Sequence, residues 1–178
     1  MYPSILTYHL SPEALSALTE IAGADFILRH VDDTEIHLAL AELLGQTVEH
    51  PVIQEGLPEP EGDFLLFAYT ERDALYRVLA EMKEKGFTFP HKAVLTETTA
   101  RWRFCDLMGH IAEEHKMVQA YKRLGALVKS AQAYLAENED ETLEELILEA
   151  KDLPNRYGED LTDTIVLAHM EKIASRLP

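Results

Sequence analysis

Two stretches of this chain repeat one another, and that repetition limits the fold before any single motif is weighed. Ser4 to Gly45 reads SILTYHLSPEALSALTEIAGADFILRHVDDTEIHLALAELLG, and Phe64 to Gly109 reads FLLFAYTERDALYRVLAEMKEKGFTFPHKAVLTETTARWRFCDLMG. At an offset of sixty, Leu6 meets Leu66, Ala14 and Leu15 meet Ala74 and Leu75, and Leu18 meets Val78. After a short insertion the offset becomes sixty-four, and Thr34, Leu40, Leu43 and Gly45 meet Thr98, Phe104, Leu107 and Gly109. A chain of this kind is expected to hold two copies of one small unit.

Each copy reads strand, helix, strand, helix. Ile5–Tyr8 and Phe64–Tyr69 are short apolar runs of the length of buried strands. Ser11-Pro12-Glu13 offers an N-cap, a proline that presets the first turn and an acid at the dipole's positive end. Thr70 offers the same cap with Asp73 three residues on. Gly23 and Gly86 stand where those helices should stop. The second strands are Phe26–Val31 and Lys92–Thr96, after which Thr34 and Thr98 are candidate caps for helices ending near Gly45 and Gly109. Strand-helix-strand connections of this length join parallel strands by a right-handed crossover. The expected class is therefore α/β: a duplicated β-α-β-α unit in a small, four-stranded sheet, with helices on one or both faces and a C-terminal α-helical extension. Strand order is left open.

The expected domains are a first copy over 1–45, a linker over 46–62, a second copy over 63–115 and a helical extension over 116–178. The linker carries three prolines and two glycines. In the extension, Met117, Tyr121, Leu124, Val128, Ala131 and Leu135 recur at helical spacing. A capping box at Thr142–Glu145 opens another helix, Pro154 to Gly158 breaks it, and Leu161, Ile165, His169, Ile173 and Leu177 mark the last. Such a stripe packs within its own chain or pairs the chain as a homo-oligomer through its C-terminal helices; the first is the commoner use.

Charge narrows the partners. Sixteen basic residues against thirty-two acidic ones give a net charge of −16, which opposes sequence-independent nucleic-acid binding and docking on an anionic membrane. Residues 1–60 contain one cation, Arg29, against ten acids. A basic protein partner would suit that surface, as would simple solubility. The lone Cys105 excludes an internal disulfide and suits a reducing cytoplasm. MYPSILTYHL has no export-signal character, and no apolar run is long enough to span a bilayer. The expected setting is cytoplasmic.

In the second copy, Phe64 through Pro90, the string Lys92-Ala93-Val94-Leu95-Thr96, Thr98, Trp102, Asp106-Leu107-Met108 and Glu113-Glu114 resemble a bacterial family of short domains. It bears only a domain-of-unknown-function label, number thirty-seven eighty-three. The resemblance covers about residues 62–115 and implies no activity, cofactor or catalytic residue. The first copy, a diverged duplicate, has Leu28 and Leu38 where the second has Lys92 and Trp102.

Open α/β sheets bind ligands beyond the carboxyl ends of their parallel strands. There the sequence places Asp32, Asp33, Thr96, Glu97 and Thr98, with Trp102 close by, as weak candidates for binding a small ligand or cation. Ser, Thr, Asp and Glu also simply start helices well, which is the plainer reading. His110-Ile111-Ala112-Glu113-Glu114-His115 superficially resembles a zinc-protease helix, but its histidines are five apart where such sites need four. Arg101-Trp102-Arg103 has the composition of a base-stacking site, though a tryptophan there is more often a core anchor. No catalytic residue, metal ligand or cofactor is expected. The leading expectation is a non-catalytic interaction or regulatory module. The alternative is a small-ligand or cation-binding protein or enzyme with its site at the carboxyl edge of the sheet.

Overall fold

The computed structural model describes residues 1–58 and 62–178. The chain divides into two compact units, Met1–Glu113 and Glu114–Pro178. The first contains β1 (Ser4–Tyr8), α1 (Pro12–Ala22), β2 (Ile27–His30), α2 (Leu40–Leu43), β3 (Phe64–Ala68), α3 (Arg72–Glu84), β4 (Lys92–Val94) and the start of α4 (Phe104–Leu135). The second contains the rest of α4, α5 (Glu141–Tyr157) and α6 (Asp163–Ala174).

The four strands form one sheet in the order β2-β1-β3-β4. Within each half the strands are parallel, as the crossover connections require. The halves meet through antiparallel pairing of β1 with β3, which sets Leu6 directly opposite Leu66. A second junction repeats the relation: Ala39 bridges antiparallel to Arg103, its match at the offset of sixty-four. Leu40 N donates to the Trp102 carbonyl, and Phe104 N to that of Leu38. Residues matched in sequence are thus brought face to face in space.

Every residue of β1 and β3 is buried, because helices cover both sheet faces. On one face Ile5, Leu65 and Phe67 pack with Leu18 and Ile21 of α1 and Val78 and Met82 of α3. On the other, Leu6, Tyr8, Phe64 and Leu66 pack with Leu40 and Leu43 of α2 and Phe104, Leu107 and Met108 of α4. Alternate residues of each strand serve opposite cores, as the two-residue period dictates.

The Ser11 cap forms as expected, with Ala14 N donating to Ser11 Oγ at 3.1 Å. Gly23 and Gly86 take positive φ at the ends of α1 and α3. Four local expectations need correction. Thr70 does not cap α3; its hydroxyl donates to the Ala68 carbonyl, and Glu71 stands at the cap. Thr34 starts no helix, because its N–H and hydroxyl both donate to Asp32 Oδ1 and hold a turn that delays α2 to Leu40. Thr98 leads only into a 3₁₀ turn, Thr99–Arg101, before α4 starts at Phe104. Gly109 ends nothing: it lies inside α4, where a Cβ would come within 2.8 Å of the Pro58 carbonyl oxygen and 2.9 Å of Leu57 Cβ. It is there to let another stretch of backbone approach.

In the second unit the apolar stripes meet one another, with Leu124 and Ala131 of α4, Leu143 and Ile147 of α5, and Val166 and Ile173 of α6 in one core. His169 is buried there and lies 2.7 Å from the Leu146 carbonyl, to which its Nε2–H donates. The α5 cap is Asp140, not Thr142. Pro154 is carried within α5, in its last turn, and the helix stops at Gly158. No helix among the described residues is long and apolar enough to cross a membrane.

Candidate functional site

A cavity of about 510 Å³ opens where β1 ends and the chain leaves β2. Tyr8, the last residue of β1, forms its floor, packed edge-on against Phe104. The Tyr8 hydroxyl donates to Asp33 Oδ1 at 2.8 Å, and the His9 ring, stacked on Tyr8, donates to the same oxygen at 3.0 Å. His9 has φ of 50°, in the left-handed region that non-glycine residues seldom enter. Burial, then the hydrogen bond and charge of Asp33, push the Tyr8 phenol up to about 12.

The other side is built by the start of α4 and by the connection between the halves. Asp106, 3% exposed, accepts Arg103 Nε at 2.8 Å and Arg103 Nη2 at 2.7 Å, a bidentate pair. It also accepts the backbone N–H of Gln54 at 3.1 Å. Burial raises the Asp106 pKa, but Arg103 and the Gln54 amide outweigh it and leave the carboxyl below its ordinary value. The connection is fastened elsewhere too: Val52 bridges to Trp102, Arg101 donates to the His50 carbonyl, and Pro58 lies against Gly109. What the sequence presents as an irregular linker is, through Pro58, a wall of the cavity; residues 59–61 of that linker lie outside the described residues.

Cys105 also faces the cavity, with Sγ 3.6 Å from His37 Nδ1 and 3.5 Å from Asp106 Oδ1. A cysteine beside a histidine invites comparison with a catalytic pair, but such pairs depend on a lowered thiol pKa. Here burial and then the Asp106 charge push the thiol up, against a smaller opposing effect of Arg103. The pair therefore lacks the lowered thiol pKa on which such catalysis depends.

Of the ligand-binding candidates named from sequence for the sheet's carboxyl edge, only Asp33 lines this cavity; Arg103 of the Arg101-Trp102-Arg103 string and Cys105 line it too. Asp32 sits one residue away, held by Thr34, whose hydroxyl and backbone N–H lower its pKa. Thr96, Glu97 and Thr98 lie elsewhere, and the single carboxyl edge expected to unite them with the aspartates does not exist. Because β1 and β3 are antiparallel, the carboxyl ends of β1 and β2 point one way and those of β3 and β4 the other. Thr96 instead bonds to Thr99 at 2.9 Å in its own turn, beside exposed Glu97 and Thr98. Trp102 is half-buried against the α2–α4 core, with the His110 ring edge-on at 5.5 Å. Arg101 and Arg103 are both engaged within the fold, and His115 lies 3.3 Å from Gln119. Among the described residues no group of three or more His, Cys, Asp or Glu is arranged to hold a metal ion.

Sequence reasoning placed none of Tyr8, His37, Arg103, Cys105 and Asp106 in a small-ligand site, although it weighed Arg103 and Cys105 for other roles. Arg103, just before α4, and Asp106 in its first turn, three residues apart with opposite charges, were the signal available. Nothing in the sequence showed that they clamp Gln54.

Fold and site together define an α/β module with a partly enclosed, mixed polar and apolar cavity at one end of its sheet. Residues 63–118 match the sequence profile of Domain of unknown function (DUF3783), as the lysine-to-tryptophan string implied. The match runs from the residue before β3 into α4 and takes in Arg103, Cys105 and Asp106, whereas Tyr8, Asp33 and His37 precede it. No curated protein and no solved structure matches the chain.

Proposed function

We propose that this protein is a regulatory or interaction module that acts by binding a small molecule in the cavity beside Tyr8, without covalent chemistry. The cavity carries the reading: its size falls within the roughly 300–1,000 Å³ of small-ligand sites, and its walls mix apolar side chains with a few polar groups. The neutral Cys105 thiol favours binding over catalysis. A screen of small molecules by thermal shift tests this against an Ile53→Trp variant, which crowds the cavity mouth with an exposed residue. Compounds that raise the melting temperature of the wild type and not of the variant are expected. A library that stabilises neither, or both equally, overturns the reading.

A duplicated origin for the two halves belongs to the same proposal, supported by the pairing of Leu6 with Leu66 and of Ala39 with Arg103. So does a bacterial, cytoplasmic setting, supported by the family resemblance and the unpaired Cys105. Self-association through the C-terminal helices is a separate proposal, favoured by Leu148, 66% exposed on α5. Sedimentation at two concentrations tests it, and a strict monomer sinks it.

A further inference from the structure

We infer that the cavity takes a small organic cation, an ammonium group on an apolar stem. This rests on the reading of the cavity as a ligand site and adds the chemistry of its occupant. Arg103 is the only lysine or arginine in the described lining, and Asp106 holds its Nε and Nη2 in a bidentate pair that balances its charge. The lining also includes Asp33 and Glu55, so its acidic residues exceed its fixed cations by two. Asp33 is fixed in place by Tyr8 and His9, with its side chain 72% exposed and able to accept another donor. An anion would meet Asp33 and Glu55 with the one guanidinium already balanced by Asp106, whereas an ammonium would find a charge-assisted acceptor.

The apolar side chains that complete the wall, Ile36, Ile53, Leu57 and Pro58, provide contact for a short hydrocarbon or aromatic stem. The surrounding field has the same preference. Residues 1–60 hold ten acids and one cation, so the half of the chain that supplies Tyr8, Asp33 and Glu55 draws cations toward the cavity.

The test uses the full chain and matched probes sharing one ring and differing at one end: tyramine, 4-hydroxyphenylacetate and 4-hydroxyphenethyl alcohol. Phenethylamine, histamine and cadaverine extend the amine set, with phenylacetate, imidazole-4-acetate and glutarate as their acid counterparts. Binding is read by calorimetry, and location by protection of Cys105, the chain's only thiol, from iodoacetamide. At least one amine is expected to bind and slow Cys105 alkylation, at least about tenfold more tightly than its matched acid. The double variant Asp33→Asn, Glu55→Gln should lose that preference while keeping the wild-type circular dichroism spectrum, and rising salt should weaken binding of the amine. Preferential binding of the acid or alcohol at Cys105 overturns the cation inference and leaves the ligand site standing. If no probe of any class binds or protects Cys105, both fail.

Discussion

Gly109 and Gly125 occupy the same helix and should respond oppositely to the same substitution. Replacing an interior helical glycine by alanine gains about 1 kcal/mol of helix propensity, mostly by restricting the unfolded chain. At Gly125 nothing lies within 4 Å of the new methyl, so Gly125→Ala should stabilise by about that amount. At Gly109 the methyl would stand 2.8 Å from the Pro58 oxygen, and ordinary contact begins at 3.4 Å, so the connection must move by about 0.6 Å. That backbone is itself fastened through Gln54 to Asp106. Overpacking of this kind costs about 1–3 kcal/mol, which cancels or exceeds the propensity gain. Urea denaturation of each variant, followed by circular dichroism and by the fluorescence of the single Trp102, should place the two about 2 kcal/mol apart. Gly109→Ala should also speed iodoacetamide reaction at Cys105, since Leu57 and Pro58 share the cavity wall with it. If both variants stabilise alike and leave Cys105 unchanged, the connection does not bear on α4 as described.

Asp106→Asn should cost about 1.5–3 kcal/mol at neutral pH by weakening the Arg103 and Gln54 bonds. Because the folded carboxyl lies below the unfolded value of about 3.9, the stability its charge provides is present above that value and lost as pH falls through the folded pKa. Urea midpoints of wild type and variant should therefore converge below about pH 4, and a gap that stays constant refutes the assignment. Tyr8, raised to about 12 against about 10 when unfolded, provides stability that is full below about pH 10 and lost as pH rises through about 12. Tyr8→Phe should remove one late phenolate from an absorbance titration, leaving Tyr121, which burial also raises. Ser11→Ala should destabilise by about 1 kcal/mol through loss of the α1 cap, whereas Thr70→Ala, which removes no α3 cap bond, should cost less in the same denaturation assay.

The strands, the α1 and α3 helices and the three-helix unit are legible in the sequence because each is specified locally, by an apolar period, a cap or a glycine. Elements decided by tertiary contact are not. Thr34 and Thr98 look like caps in isolation, yet one is drawn into a turn by Asp32 and the other leads only into a 3₁₀ turn. Gly109 has the sequence context of a helix end, and only the approach of Pro58 explains it. For the site, Asp33 could be named because acids after a strand are a known position for binding. Asp106 has the sequence context of an ordinary first-turn helix acid, and only the fold brings Gln54, fifty-two residues earlier, onto it.

The placement of the cavity follows from the antiparallel join of β1 to β3. Had all four strands run parallel, both sets of loops would have shared one edge and competed for one crevice. The antiparallel join gives each half its own carboxyl end, at opposite ends of the sheet. The connection between the halves has no counterpart in the repeat and treats these ends differently. It starts with the Gln46 side chain on the Tyr69 hydroxyl, at the end shared by β3 and β4. It finishes with Gln54 and Pro58 fastened to α4, at the end shared by β1 and β2. Only there does it meet a buried strand tyrosine, since the residue before left-handed His9 is Tyr8 and the residue before left-handed Tyr69 is Ala68. The cavity therefore lies where the repeat is broken, and Lys92 and Trp102, which set the second copy apart in sequence, line no part of it.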